Sequence, residues 1–398
     1  MDTAQLGLLF FCGFLLSRLF VVSRLPERIV HNLVTRELNF ATLIFLLISL
    51  SACLSVLIPN AITAITVLPI ITLLQRQWHQ HGKDHQARVT TALALSVIYG
   101  ANIGGVGAIT ATPANGILVA YAALQGIPGE GVLRFNTWLL WGLPLAAMLV
   151  VMGWAVIMLT LAGRHATEKV EILENWTAPK CRSQRHALWM AAVFFICAFA
   201  LSTAMNFWQQ ELVLGLTIAL TVILVLGLFV IPFPNDQAES SPLLRASDVI
   251  SNLPLRGMLF VLGFVILATT LVMLGAVEAI ARVLANALPS DLQSLGSMVV
   301  IALTTSFATE ALSNTVVQLG MFETIQAQGA VASGMIYPML VVTLSCTCAF
   351  MSPLATGVNG LVFGEMRGAS LWRMLLAGVF MNLAAAVTIA AWVYWVVA

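Results

Sequence analysis

Charge is what this sequence has least of. Only 9% of its 398 residues are Asp, Glu, Lys or Arg, against roughly 25% in a soluble domain. A water-facing surface cannot be built from so few charges, so most of the surface has to face lipid. A formal net charge of +1 excludes the basic excess expected of a nucleic-acid binder. Catalytic signatures are missing too. There is no His-Glu-x-x-His, no Gly-x-Ser-x-Gly and no clustered pair of acids within an apolar stretch, which leaves a polytopic membrane enzyme without sequence support. No charged ring or filter motif points to a channel. The six cysteines, Cys12, Cys53, Cys181, Cys197, Cys346 and Cys348, form no disulfide framework. Five lie in apolar stretches, where a thiol acts as a small hydrophobe. Cys346 and Cys348 are two apart and point to different faces of a helix. No short, cleavable leader is recognisable at the start.

What is abundant is apolar sequence, 60% of the chain. Apolar segments recur near residues 5–23, 39–75, 89–123, 137–162, 187–206, 210–233, 257–276, 294–325, 332–364 and 372–397. At about 20 residues per passage these predict an all-α polytopic membrane protein. Several are too long or too interrupted for one straight span. Pro59-Asn60 breaks 39–75, and Ser313-Asn314-Thr315 breaks 294–325. Clusters of Gly, Thr, Pro and Asn break 89–123 and 332–364. Backbone groups freed by a break cannot face lipid, so breaks belong where they line protein or a wet cavity. Four of them predict one polar pocket within the bilayer, although each alone reads equally well as a packing kink.

The basic residues set an orientation. With residue 5 outside, sixteen of the 18 Lys and Arg fall inside and only Arg134 and Arg282 outside. Both termini are then expected outside. The same orientation exposes an internal repeat. GFLLSRLFVVSRLPERIVHNL from Gly13 parallels GFVILATTLVMLGAVEAIARVL from Gly263. Each is followed by a broken hairpin, IPNAIT from Ile58 and LSNTVV from Leu312, and then by a second break, ATPANG from Ala111 and ATGVNG from Ala355. The copies have opposite orientation, the build of many secondary transporters. The expected organisation is a first repeat over 1–162 (hairpin 39–75, broken helix 89–123), a cytoplasmic linker over 163–186, and a second repeat over 187–398 (hairpin 294–325, broken helix 332–364). The helices 187–206 and 210–233 have no counterpart before Gly13, so the fold is expected to be N-terminally short, in its scaffold rather than in its binding core.

No Lys or Arg lies in any of the four breaks. An anion held there needs hydroxyls, amides, helix ends and co-bound cations. Asn60 and Asn314 offer side-chain oxygens, and Ser55, Thr309, Ser313 and Thr315 offer hydroxyls, the ligand type hard cations prefer. Glu310, an acid in an apolar stretch beside the Ser-Asn-Thr tip, is a candidate for tuning a cation site or carrying a proton; the alternative is a structural acid capped by hairpin amides. His79, His81 and His85 sit in a loop with Lys83 and Asp84 and read as solvated rather than as a metal site. Asn175-Trp176-Thr177 fits a glycosylation sequon but falls on the inside.

Taken together, TEALSNTVVQLGMF from Thr309, SVLIPNAITAITVLPI from Ser55, GANIGGVGAITATPANG from Gly100 and SCTCAFMSPLATGVNG from Ser345 resemble the divalent anion/sodium symporter (DASS) family of the ion transporter superfamily. The resemblance runs in order along nearly the whole chain. It implies an inverted-repeat ion-transporter fold with two re-entrant hairpins and two broken helices, an elevator mechanism and a homodimer. It implies sodium as coupling ion, no organic cofactor, a small anion such as succinate, malate, citrate or sulfate as substrate, and a bacterial inner membrane as location. Carried over by position, one sodium site uses Ser55, Asn60 and the backbone of Ala111. The other uses Thr309, Asn314 and the backbones of Leu312 and Ala355. The substrate touches Asn60, Thr112, Ser313, Asn314, Thr315 and Thr356. Where the family has a first Ser-Asn-Thr, this chain has Pro59-Asn60-Ala61; its paired prolines are Pro113-Ala114 and Gly357-Val358 here. The first half is therefore poorer in hydrogen-bond donors, which points away from citrate. It also leaves a proton-coupled permease or an exchanger of the same superfamily as the alternative.

Overall fold

The apolar segments fold as helices that stop where the sequence inserts its polar and helix-breaking residues. The computed structural model describes residues 3–25, 28–29, 38–76, 83–129, 131–167, 169, 183–204, 210–234, 240–250, 270, 273–275, 291–327 and 334–398. Among the described residues the α-helices are, in chain order, α1 (Thr3–Ser23), α2 (Phe40–Leu57), α3 (Asn60–Arg76), α4 (Lys83–Gly107), α5 (Pro113–Leu124), α6 (Phe135–Ile157), α7 (Ser183–Ala204), α8 (Gln210–Phe229), α9 (Ala246–Ile250), α10 (Leu295–Ala308), α11 (Asn314–Ala327), α12 (Ile336–Thr347), α13 (Gly357–Glu365) and α14 (Leu371–Trp392). Six are long and apolar enough to cross a membrane, over Phe40–Leu57, Asp84–Gly107, Phe135–Ala162, Gln184–Leu201, Glu211–Phe229 and Leu371–Val397. The protein is an all-α polytopic membrane protein. Gly263 and most of 257–276, His79, His81, Cys181 and the Asn175 sequon lie outside the described residues.

The segment expected to continue to 233 ends at Phe229. Pro232–Pro234 instead pairs as a short strand, β1, with Ser240–Pro242, β2. Pro232 and Pro234 supply no backbone N–H and cannot extend a helix. Cys348 lies one residue beyond the end of α12, so the pair with Cys346 does not share a helix; both thiols are free and buried.

Two packed groups emerge. α1, α7 and α8 contact one another, and α9 joins them through α1. Arg18, buried on α1, donates through Nε and Nη2 to the carbonyl oxygen of Asp248 on α9, at 3.1 and 2.6 Å. The second group is built around α4, which is buried throughout from Val89 to Gly107. It packs on α2, α3, α6, α12, α13 and α14. The approach of α2 to α4 is close enough to require glycine. A Cβ at Gly104 would lie 2.4 Å from the Ala52 carbonyl oxygen, and one at Gly100 2.5 Å from that of Ile48. Small residues one turn apart let membrane helices meet backbone to backbone. α10, α11, α12 and α14 form the matching cluster around the second hairpin.

Candidate functional site

Every predicted site residue lies at an interruption or one turn from it. Leu57 ends α2 and Asn60 starts α3; Ala308 ends α10 and Asn314 starts α11. Gly107 ends α4 and Pro113 starts α5; Thr347 ends α12 and Gly357 starts α13. Each break is thus followed by a helix N-terminus, whose free N–H groups and dipole favour an anion. Asn60, Ser313 and Asn314 are partly exposed and Thr315 is exposed, whereas Ser55, Ala111, Thr112, Thr309 and Ala355 are buried.

A chain of contacts joins the two hairpins. A Cβ at Gly105 would lie 2.8 Å from Thr347 Cγ2 and 3.0 Å from Asn60 Nδ2, so Gly105 on α4 has Asn60 of α3 and Thr347 of α12 as neighbours. One turn back on α12, the Thr343 hydroxyl accepts from Gln318 Nε2 at 3.0 Å. Gln318 stands one turn beyond Asn314 on α11, and its Nε2 also donates to the Ala114 carbonyl at the start of α5, at 2.8 Å. Asn115 closes the circuit by donating to the Gly105 carbonyl at 2.9 Å. The ring therefore contains both hairpins and both broken helices.

The two broken helices are latched alike. Asn115 Nδ2 donates to the carbonyls of Gly105 and Ala108, ten and seven residues earlier. Asn359 Nδ2 donates to those of Ala349 and Ser352, at the same two offsets. These side chains replace the backbone N–H groups that a continuous helix would have brought to those carbonyls. The second latch carries more. Asn359 Oδ1 accepts from the Thr356 hydroxyl at 2.8 Å and from Asn102 Nδ2 at 2.9 Å.

Oxygen atoms dominate around both hairpins. The Ser55 hydroxyl lies 2.7 Å from Asn60 Oδ1 and 2.7 Å from the Ala101 carbonyl oxygen. Three oxygens share one hydroxyl proton there, a donor set that suits a monovalent cation. On the second hairpin the Thr309 hydroxyl donates to the Ser306 carbonyl at 2.9 Å. Asn314 Oδ1, Ser306 Oγ and Thr305 Oγ1 are buried without a hydrogen-bond partner, and these orphaned oxygens fit a cation likewise.

Glu310 is placed differently from the tip residues. It is 4% exposed. Its carboxylate accepts from the backbone N–H groups of Met351 and Ser352, at 2.9 and 2.6 Å, and from Asn382 Nδ2 on α14, at 2.6 Å. Asn382 Oδ1 in turn accepts from the Phe350 N–H at 3.0 Å. Two side chains thereby hold three consecutive amides of the second break. The corresponding position of the first hairpin is Val56, which packs against Gly107.

Sequence reasoning missed Ala101, Asn102, Thr305, Ser306, Gln318 and Asn382. One signal was available for part of this set. Polar residues four apart, Ser51 and Ser55 on α2 and Thr305 and Thr309 at the end of α10, repeat at matching positions of both hairpins. Asn102, Gln318 and Asn382 stand alone in apolar stretches and carry no such signal.

A family model described as CitMHS, citrate transporter, matches residues 3–347. The chain is 24% identical over 353 residues to the sodium-dependent high-affinity dicarboxylate transporter 3 of Caenorhabditis elegans, covering 80% of this chain and 61% of that protein. It is 24% identical over 361 residues to the sodium-dependent dicarboxylate transporter SdcS of Staphylococcus saprophyticus, covering 86% and 67%. With an uncharacterized transporter of Haemophilus influenzae it shares 25% over 389 residues, covering 96% and 79%. The chain thus spans about three-fifths of the length of the nematode protein.

Proposed function

The chain belongs to the CitMHS citrate transporter family, and from that premise we propose that it is a secondary active transporter that moves a small dicarboxylate or sulfate-class anion together with sodium. The observation that carries the reading is the ring of contacts from Asn60 through Gly105, Thr347, Thr343 and Gln318 to Ala114 and Asn115. Three helix starts, those of α3, α5 and α11, and two orphaned oxygens, Asn115 Oδ1 and Gln318 Oε1, belong to this ring, in a chain with no basic residue at any break. Anion and cation then compensate each other in a low-dielectric setting, where either alone is costly to bury. This mutual dependence is what couples their transport.

In this reading one sodium ion sits at Ser55, Asn60 and the backbone of Ala111, with the Ala101 carbonyl added by the geometry. A second sits at Thr309, Asn314 and the backbones of Leu312 and Ala355. The anion rests between them against Asn60, Thr112, Ser313, Asn314, Thr315 and Thr356. No organic cofactor takes part. The hairpins are re-entrant, the halves 1–162 and 187–398 are inverted repeats, and both termini lie outside a bacterial inner membrane. The matched offsets of Asn115 and Asn359 support the repeat. The group around α4 and α10–α14 carries the site as an elevator against a scaffold of α1, α7, α8 and α9. Exposed Leu188, Trp189, Val193 and Ile196 on α7 and Leu212 and Ile223 on α8 offer the scaffold an apolar face for a homodimer.

The test is uptake into proteoliposomes of labelled succinate, sulfate and citrate under an inward sodium gradient. Uptake of succinate or sulfate that disappears when choline replaces sodium is the expected result. Uptake that persists in choline and follows the pH gradient would favour proton coupling instead.

A further inference from the structure

The two broken helices begin with the same Ala-Thr pair, but their threonine hydroxyls are in different states. Thr356 is a committed cap. Its oxygen accepts from the Asn359 N–H at 3.1 Å, and its hydroxyl donates to Asn359 Oδ1 at 2.8 Å. Thr112 occupies the same N-cap position before α5, with nearly the same backbone angles (φ −139°, ψ 146° against −138° and 156°), yet its side chain makes no capping bond. Its natural acceptor, Asn115 Oδ1, is fully buried and left without a partner. A buried amide oxygen without a donor is unfavourable, and a rotation of Thr112 to the Thr356 arrangement would supply one. The first threonine is therefore held away from its cap.

Two residues distinguish the ends: Asn102, which donates to Asn359 of the second latch, and Gln318, which reaches the first. Gln318 is fully buried on α11 and donates from Nε2 to the Ala114 carbonyl, two residues after Thr112. Its own Oε1 has no partner. Counting by the spacing of the two hairpin asparagines, the corresponding residue of the first hairpin is Ala64, which can make no such reach to the start of α13.

We propose that the pocket is one-sided: Gln318, reaching across from the second hairpin, positions the start of α5 so that the Thr112 hydroxyl is presented to the anion, while Thr356 acts as a helix cap. This rests on the transport reading above and narrows it: of the two broken-helix threonines placed at the anion there, it keeps Thr112 as a contact and withdraws Thr356, and it gives a role to a residue the motifs do not contain. Gln318 is a positioning residue here, and Thr112 touches the ligand.

A double-mutant cycle on the purified full chain tests it. Thermal unfolding is followed while succinate, or sulfate in parallel, is titrated in the presence of sodium. Thr112→Val should raise the half-saturating succinate concentration about tenfold, the usual scale for one hydrogen bond to a charged group, and Thr112→Ser should restore it. Gln318→Met, isosteric but without the donor, should raise it to a similar extent. The double variant Thr112→Val/Gln318→Met should be no worse than either single, because the glutamine acts through the threonine. Without anion, Thr356→Val should lower the melting temperature and Thr112→Val should not. If Gln318→Met fails to fold, Gln318→Asn, one methylene short of Ala114, carries the same expectation. Additive losses, unchanged anion affinity in Thr112→Val, or loss of anion-free stability in Thr112→Val equal to that of Thr356→Val would each overturn the proposal. A wild type unmoved by both anions would instead refute the transport reading itself.

Discussion

Removing the Glu310 carboxylate is the perturbation whose cost the structure lets one work out most fully. Glu310→Ala strips the acceptor from three donors at once, the N–H groups of Met351 and Ser352 and the side-chain amide of Asn382. Ser352 and Asn382 are buried and Met351 is half-buried, so the freed donors have little water to turn to. A buried donor left unpaired costs about 1–3 kcal/mol. Three would sum to about 6 kcal/mol, and allowing Asn382 to turn or a water to enter brings the expected loss to about 4 kcal/mol. Glu310→Gln keeps one oxygen and should lose about half as much. The assay is unfolding in detergent followed by tryptophan fluorescence, paired with hydrogen exchange of the peptide covering residues 348–356. Both variants should melt below the wild type in the order Ala, then Gln, and exchange at 350–352 should accelerate selectively. A Glu310→Ala protein with wild-type melting and wild-type protection of that peptide would refute the reasoning, and with it the view that this acid fastens the second break.

Other outcomes follow from the same geometry. Gly104→Ala places a Cβ 2.4 Å from the Ala52 carbonyl oxygen and 2.6 Å from Ser55 Cβ. The clash should cost about 1–3 kcal/mol and raise the half-saturating sodium concentration by displacing Ser55, measured by sodium titration of uptake. Asn314→Ala should abolish sodium-driven uptake while leaving a folded protein by gel filtration; transport at the wild-type rate would remove Asn314 from the site. Asn359 takes part in four side-chain hydrogen bonds and Asn115 in two. At about 1 kcal/mol each, Asn359→Ala should therefore lower the melting temperature more than Asn115→Ala.

Helices and breaks were legible in the sequence because both signals are local. Long apolar runs demand helix in lipid, and Pro59-Asn60, the stretch Ala108–Thr112, Ser313-Asn314 and the stretch Cys348–Thr356 interrupt them where the structure does. The tip residues were legible because motif and repeat coincide. What escaped is non-local. Asn102 meets Asn359 across 257 residues, Gln318 meets Ala114 across 204, and Asn382 meets Glu310 across 72. A single amide in an apolar helix does not disclose its partner, because small polar residues also serve as general glue between membrane helices. Glu310 shows the same limit from the other side. Its type and position flagged it, but only the fold reveals that its oxygens are occupied by backbone amides. The β1–β2 pairing after α8 was overlooked although Pro232 and Pro234 were in plain view, because the apolar pattern ran through them.

The account stands or falls on mutual stabilisation of sodium and anion in the shared pocket, and an equilibrium titration addresses that without transport. The half-saturating succinate concentration is measured at several sodium concentrations, and the half-saturating sodium concentration at several succinate concentrations. The account predicts that each ligand tightens the other by the same factor, as linkage requires of two sites in one coupled unit. Succinate binding of equal strength in sodium and in choline would contradict it.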